Sequence, residues 1–252
     1  MENIDLNKIK KVMLSYKALD SQDKKIVNKK IDAIWSDAYN EFMEKCMEDK
    51  ELVELYDKLQ SLYPILNYNI QEDFENYAYT EFQDDPDYSS PVYMYDEDYF
   101  NECKNLSENW DEIKKEIQDK IKLFETSKFV LFREDKIRNL KIDLKDKAFK
   151  VEHYNKCMLL QQQHLDLLAE KSKIFDPIEK RYNELLTKYA TQVLEKYLNS
   201  TPSIACVEHN SYISSSIYSK GFNMTALNKL CNEVHNQVNE SIKNDLSDFM
   251  QL

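Results

Sequence analysis

The chain has 252 residues, a hydrophobic fraction of 42% and a formal net charge of −12, so it is long enough to bury a sizeable core and too apolar to be disordered throughout. Its single glycine, Gly221, excludes the enzymes whose phosphate loops, dinucleotide fingerprints or nucleophile elbows need several glycines. No apolar run reaches the length of a membrane helix, and five scattered cysteines do not form a secreted disulfide scaffold. We therefore expect a cytoplasmic protein, of a bacterium or of an infected host cell.

The first 64 residues are predicted to be helical. Apolar residues at helical spacing indicate one helix from Asp5 to Leu19 and a second from Ser21 to about Tyr63. Ser21 is the expected N-cap of the second helix, and Pro64 is its expected end.

The character of the chain changes in residues 59–103, which we call the acidic segment. It has no Lys or Arg, eleven Asp or Glu and eight Tyr, and Pro86 and Pro91 interrupt it. Because proline breaks regular elements, short helices or irregular packed turns are predicted here.

Helical periods return after the acidic segment. Ser107 is the expected cap of a helix that runs through Ile121. Beyond it, apolar residues at seven-residue steps from Ile137 to Leu165 predict one long helix, from about Arg133 to Ser172.

After the long helix comes the Asp176-Pro177 pair, which is typical of a helix start and predicts a helix to Tyr197. This helix is the expected antiparallel partner of the long helix, with an intermolecular coiled coil as the alternative. Residues 204–218 are predicted as a small β-hairpin, and a final helix starts at Asn223 or Thr225.

The predicted fold class is accordingly all-α or mainly α. It consists of long antiparallel helices in a helical hairpin, with an irregular acidic tyrosine-rich insert and one small β-hairpin near 204–218. The predicted segments are N-terminal helices at 1–64, the acidic tyrosine-rich segment at 65–106, a long-helix hairpin at 107–200 and a polar loop with a C-terminal helix at 201–252. One domain that contains all four is the alternative.

The charge is unevenly distributed. Residues 1–30 carry eight Lys against four acids, whereas residues 32–103 carry three Lys against twenty acids. A like-charged region repels itself when it is compact, so it is kept either for solubility or because a basic molecule docks there. Direct nucleic-acid binding is disfavoured, because that affinity comes from clustered Lys and Arg.

Tyrosine supplies rigid contact area with a polar tip, and spaced carboxylates imitate a row of phosphates. We expect a non-enzymatic acidic binding protein that occupies a basic surface of a nucleic-acid-handling protein, as a phage-encoded or plasmid-encoded inhibitor does. The residues expected to contact the partner are Asp73, Glu75, Tyr77, Tyr79, Glu81, Asp84, Asp85, Asp87, Tyr93, Tyr95, Asp96, Glu97, Asp98 and Tyr99.

Three alternatives stay open. In the first, the acidic segment folds against the chain's own Lys-rich N-terminus. In the second, the protein is an immunity protein that neutralises a basic toxin. In the third, it is a coiled-coil adaptor that forms a homodimer. No membrane partner is expected.

Cysteine and histidine recur as close pairs, and three of the four histidines lie three or four residues from a cysteine. Such pairs face one way on a helix, and two of them complete a tetrahedral structural zinc site. The favoured interpretation is no cofactor, because no compact zinc motif is present. The zinc candidates are His153, Cys157, Cys206, His209, Cys231 and His235.

Overall fold

The computed structural model describes residues 4–82, 85–127, 130–206 and 225–250, and these form nine α-helices, a 3-10 helix and one two-stranded antiparallel sheet. The predicted fold class, mainly α with one small hairpin, is confirmed. The elements are α1 Leu6–Lys17, α2 Ser21–Glu48, α3 Lys50–Leu66, α4 Ile70–Asp73, β1 Glu75–Phe82, β2 Asp85–Tyr95, α5 Glu97–Glu108, α6 Trp110–Thr126, α7 Arg133–Ala169, α8 Lys171–Ser200, the 3-10 helix Pro202–Cys206 and α9 Thr225–Met250.

The second predicted helix is divided into α2 and α3. Asp20 caps α2 by accepting from two backbone N–H groups, so Ser21 is the first helical residue and not the cap. The division falls at Asp49, which has an extended backbone and accepts from the N–H of Leu52 in the next helix. An aspartate that satisfies the open N–H groups of a new helix turn explains why one helix ends and another begins there.

The β-hairpin lies in the acidic segment, where short helices or irregular turns were predicted. From Glu75 to Phe82 the chain is rich in Tyr, Phe and Thr, which are residues that favour strands. At the predicted hairpin position, residues 204–206 belong to the 3-10 helix, and residues 207–218 lie outside the described part of the chain.

The chain divides into two compact units. The first unit contains residues 1–60 and 172–252, and the second contains residues 61–171. The predicted partner of α7, Asp176 to Tyr197, belongs to the first unit, so that pairing stays a prediction. Over the described residues, no helix combines the length and the apolar character needed to cross a membrane.

The core of the first unit holds the 3-10 helix in place. Ile204 in this helix is fully buried, and its carbonyl accepts a hydrogen bond of 3.2 Å from the indole N–H of Trp35 in α2. His235 in α9 bonds through Nδ1 to the carbonyl of Ala205 at 3.3 Å. Two helices therefore satisfy backbone groups of a short segment that has little regular bonding of its own.

In the second unit, α4, α5 and α6 pack against α7. Glu102 on α5 forms an ion pair with Lys150 on α7 at 2.9 Å, and Glu125 near the end of α6 lies 3.9 Å from Lys141. The buried cluster at the centre consists of Phe74, Cys103 and Cys157. This cluster is the base from which the hairpin extends.

Candidate protein-binding surface

The hairpin pairs the residues of the predicted site in a regular register. Glu75 lies opposite Tyr95, Tyr77 opposite Tyr93, Tyr79 opposite Pro91 and Glu81 opposite Ser89. Residues that lie opposite each other in an antiparallel pair share a face, and so do every second residues along a strand. Glu75, Tyr77, Tyr93 and Tyr95 therefore share one face, and the rings of Tyr77 and Tyr93 meet edge to face at 5.7 Å.

Both faces of the hairpin expose large side chains. Tyr93 is 68% exposed and Tyr77 46% exposed on the first face, while Met94 is 52% exposed on the second. A two-stranded hairpin is marginally stable on its own. Exposed rings and a methionine on such an element are typical of a contact surface and not of a core.

The base of the hairpin is anchored by aromatic packing. Phe74, which is 1% exposed, meets Phe100 edge to face with ring centroids 5.0 Å apart and lies 5.9 Å from Tyr99. Tyr95 extends this packing by approaching Phe100 at 6.0 Å. The hairpin is thus fixed at one end to the core of the second unit, because large buried rings supply most of the local packing energy.

Asp96 connects the hairpin to α5. Its backbone N–H donates to the carbonyl of Phe74 at 2.7 Å, which continues the strand pairing by one residue. Its carboxylate caps α5 by accepting from the N–H of Tyr99 and also accepts from the side-chain amide of Asn76. Asp96, predicted as a partner contact, therefore has a structural task in the described geometry.

The other predicted contact residues fall into three groups. Asp73, Glu75, Glu97 and Asp98 are exposed, whereas Tyr99 is half-buried against Phe74. The structure places the backbones of Tyr79 and Glu81 in β1 and those of Asp85 and Asp87 in β2. Asp84 lies outside the described residues.

Asp73 is fixed by two neighbours that the sequence did not indicate. The hydroxyl of Tyr68 donates to its carboxylate at 2.6 Å, and burial together with this bond raises the pKa of Tyr68. The carbonyl of Asp73 accepts from Nε2 of His153 at 3.2 Å. Because a carbonyl only accepts, Nε2 is the donor of this bond. The sulfur of Cys157 lies 3.8 Å from Nδ1 and 3.9 Å from Nε2 of the same ring.

Two of the histidines predicted as zinc candidates, His153 and His235, bond to backbone carbonyls, as does His164, which was not a candidate. His153 and His235 bond to Asp73 and Ala205, and His164 on α7 bonds to the carbonyl of Ile65 at 2.9 Å. Each bond joins segments that are distant in the chain, which is a structural reason for a half-buried histidine. This use of histidine was not predicted, since backbone acceptors leave no trace in a sequence.

The cysteines of these pairs are protected thiols. Burial raises the pKa of Cys157, and it raises the pKa of Cys206 to about 11 and of Cys231 to about 12. Metal binding requires the thiolate, which these surroundings disfavour. Within the described ranges, no three His, Cys, Asp or Glu side chains are grouped to hold a metal ion, and His209 lies outside these ranges.

Several acidic residues of α2, α3 and the junction between them, which belong to the acid-rich residues 32–103, bond to α8 within the first unit. Glu51 forms a two-bond ion pair with Arg181 at 2.7 and 3.0 Å, and Glu41 pairs with Lys196 at 2.5 Å. The hydroxyl of Tyr189 donates to Asp49 at 2.5 Å, which lowers the pKa of that carboxyl. Part of the acidic charge is therefore used inside the protein.

Comparison with known proteins adds no family. No family model matches the chain, and neither a curated protein nor a solved structure is significantly similar to it.

Proposed function

We propose that this protein is a non-enzymatic binding protein whose acidic β-hairpin occupies a basic surface of a nucleic-acid-handling protein. The observation that carries the proposal is the joint exposure of tyrosine rings and carboxylates on the hairpin and at the start of α5. Tyr77 and Tyr93 are 46% and 68% exposed, and Glu75, Glu97 and Asp98 are exposed beside them in the chain.

The carboxylates near the hairpin support this proposal because they are available to a partner. Among the described residues, no Lys or Arg forms an ion pair with Glu75, Glu97 or Asp98. A carboxylate that already has a basic neighbour gains little from a second one, whereas these three have no such neighbour among the described residues.

The lysines of the N-terminus were the alternative partner for these carboxylates. Three of them have other contacts within the first unit: Lys8 donates to the carbonyl of Asn199 at 2.8 Å, Lys10 pairs with Asp245, and Lys24 lies 5.7 Å from the ring of Tyr16. These three lysines therefore have partners within the first unit.

A basic surface that binds nucleic acid is the partner of matching chemistry. Such a surface presents Lys and Arg for phosphates and often apolar or planar groups for bases. On this protein, carboxylates can pair with the Lys and Arg side chains of such a surface, and tyrosine rings can contact its apolar or planar groups. An immunity protein that neutralises a basic toxin uses the same chemistry and stays an alternative to this proposal.

The test is affinity capture from the native cell extract, at low and at high salt, followed by competition with duplex DNA. We expect captured proteins to be released by salt and by DNA, because both compete for the same charges. The variant combines Glu75→Lys, Glu97→Lys and Asp98→Lys and is expected to lose capture.

The matched control combines Asp32→Lys, Asp37→Lys and Glu44→Lys on the exposed side of α2 and makes the same change in net charge. We expect it to retain capture. If both triple variants lose capture equally, the interaction depends only on net charge and the proposed surface is wrong. Capture that resists both salt and DNA also contradicts the proposal.

A second candidate, an adaptor that dimerises through its long helix, is favoured by one observation. Along α7, Ile142, Phe149 and Leu159 are 60%, 65% and 59% exposed, which is unusual for a helix that contacts only its own chain. Light scattering of the eluting protein decides: a dimer that Phe149→Glu converts to a monomer supports this function, and a monomer over the micromolar range refutes it.

A further inference from the structure

The bond from the N–H of Asp96 to the carbonyl of Phe74 fixes which residue pairs of the hairpin exchange backbone hydrogen bonds. Bonded and non-bonded pairs alternate along an antiparallel ladder. Asn76 and Met94, which are the second pair from this bond, therefore turn their backbone groups toward each other. The pairs Tyr77 with Tyr93 and Tyr79 with Pro91 turn theirs outward, to the two edges of the hairpin.

The close approach of the Tyr77 and Tyr93 rings agrees with this alternation, since side chains are closer in non-bonded pairs. The outward direction of the Tyr77 N–H is also shown by its partner, because it donates to the side-chain oxygen of Asn76 at 2.8 Å and not to β2. This bond is exposed and belongs to neighbouring residues, so an added strand exchanges it at little cost.

The two edges of the hairpin differ because of proline. Pro91 stands at an outward position of β2 and has no N–H, so a strand added to that edge would lack a central bond. Strand β1 contains no proline, so each of its outward positions has a backbone N–H, and that of Tyr77 is bonded to the side chain of Asn76. In the described part of the chain the sheet has two strands, so no third strand covers β1 there. Long edges without such protection pair readily with other chains.

The negative charge of the hairpin indicates that a segment added to the edge of β1 is basic. Residues 75–95 contain five Asp or Glu and no Lys or Arg. In an added strand, alternate residues would stand beside Glu75 and Tyr77 on one face. A lysine or arginine there pairs with the carboxylate and lies over the tyrosine ring, and both contacts favour a cation.

We infer that the partner docks by adding an extended segment with basic residues at alternate positions to the outer edge of β1, which makes a three-stranded sheet. This inference rests on the proposed function and adds the form in which the basic partner is recognised. Main-chain bonds along β1 supply affinity, and the alternating cations select the segment.

The test uses the full-length protein and a fluorescent synthetic heptapeptide in which lysine and threonine alternate. Two further peptides serve as controls, one with the same composition but with its lysines in one block, and one N-methylated at every internal backbone nitrogen. Fluorescence anisotropy measures the dissociation constants. We expect the alternating peptide to bind at least tenfold more tightly than either control, a difference of about 1.4 kcal/mol.

Matched variants locate the edge. Because Tyr79 lies opposite Pro91, Tyr79→Pro places a proline where the ladder does not use the N–H, and Tyr79→Ala removes the same side chain but keeps the N–H. We expect Tyr79→Pro to bind the alternating peptide about tenfold more weakly than Tyr79→Ala. On the other edge, Tyr93→Pro and Tyr93→Ala are expected to bind equally.

The outcomes separate this inference from the proposed function. Equal binding by Tyr79→Pro and Tyr79→Ala, or equal binding of the alternating and N-methylated peptides, refutes strand addition. The peptide comparison holds even if a proline variant disturbs the hairpin. If the Glu75, Glu97 and Asp98 charge reversal still abolishes capture in that case, the binding surface stands without strand addition; if it has no effect, the proposed function fails.

Discussion

Replacing Phe74 by alanine tests whether the hairpin is anchored as the structure indicates. Phe74 is 1% exposed, and its ring lies 5.0 Å from Phe100, 5.0 Å from His153 and 5.9 Å from Tyr99. Truncation of a buried phenylalanine costs about 3–5 kcal/mol, through lost burial and the cavity left behind. With three rings losing a partner, we expect about 4 kcal/mol for the second unit.

The assay exploits the two tryptophans of the chain. Trp110 belongs to the second unit and Trp35 to the first. In a Trp35→Phe background, Trp110 fluorescence during urea denaturation follows the second unit alone, which avoids the error of fitting two units as one transition. The expected result is a lower midpoint for Phe74→Ala with an unchanged slope.

Phe149→Ala is the matched control, because this ring also stacks against His153, at 6.3 Å, but is 65% exposed. Its expected cost is below about 1 kcal/mol, since exposed contacts bury little area. If Phe74→Ala costs less than about 1.5 kcal/mol, or no more than the control, the buried cluster does not anchor the hairpin as described.

Three further predictions concern single groups. Tyr189→Phe is expected to destabilise the first unit by about 1 kcal/mol at pH 7. The hydrogen bond from the Tyr189 hydroxyl lowers the pKa of Asp49, so the stability that the ionised carboxylate contributes is lost as pH falls below about 5. The variant is therefore expected to lose less stability on acidification than the wild type, and an unchanged acid profile contradicts this. Tyr39→Phe is expected to leave thermal stability equal or raise it by up to about 1 kcal/mol, because no described group bonds its buried hydroxyl; a marked loss shows an unrecognised partner. Phe132→Gly is expected to stabilise by about 0.5–1 kcal/mol in urea denaturation, because Phe132 has a left-handed φ of 56° that glycine adopts without strain, and destabilisation refutes that reason.

Much of the candidate surface was predictable from local composition. The absence of Lys and Arg in residues 59–103 and the number of tyrosines identified the segment, and Tyr77 and Tyr93 are exposed there. The strands were not predicted because Pro86 and Pro91 indicated breaks. Pro91 stands at an outward position, where a two-stranded hairpin accepts a proline without losing a ladder bond. Only the pairing of the two strands shows which residues turn their backbone N–H groups away from the partner strand.

The same limit applies to the histidines and the acids. The sequence shows that His153 and Cys157 are four residues apart, but it does not show that His153 bonds to the carbonyl of Asp73, a residue 80 positions away. Likewise, Glu51 belongs to the acid-rich residues 32–103, but it forms an ion pair with Arg181 on α8. Charge and spacing are local properties of a sequence, whereas partners are assigned by tertiary contact.

The sequence by itself determined the helical class, the excluded glycine-dependent enzymes and the polarity of charge, because these follow from composition and from periods shorter than one helix. Tertiary structure alone decided that the acidic segment forms a hairpin, that Phe74 anchors it, and which carboxylates are neutralised by α8. These features depend on contacts between residues distant in the chain, whose free energy comes from burial and pairing that no local pattern records.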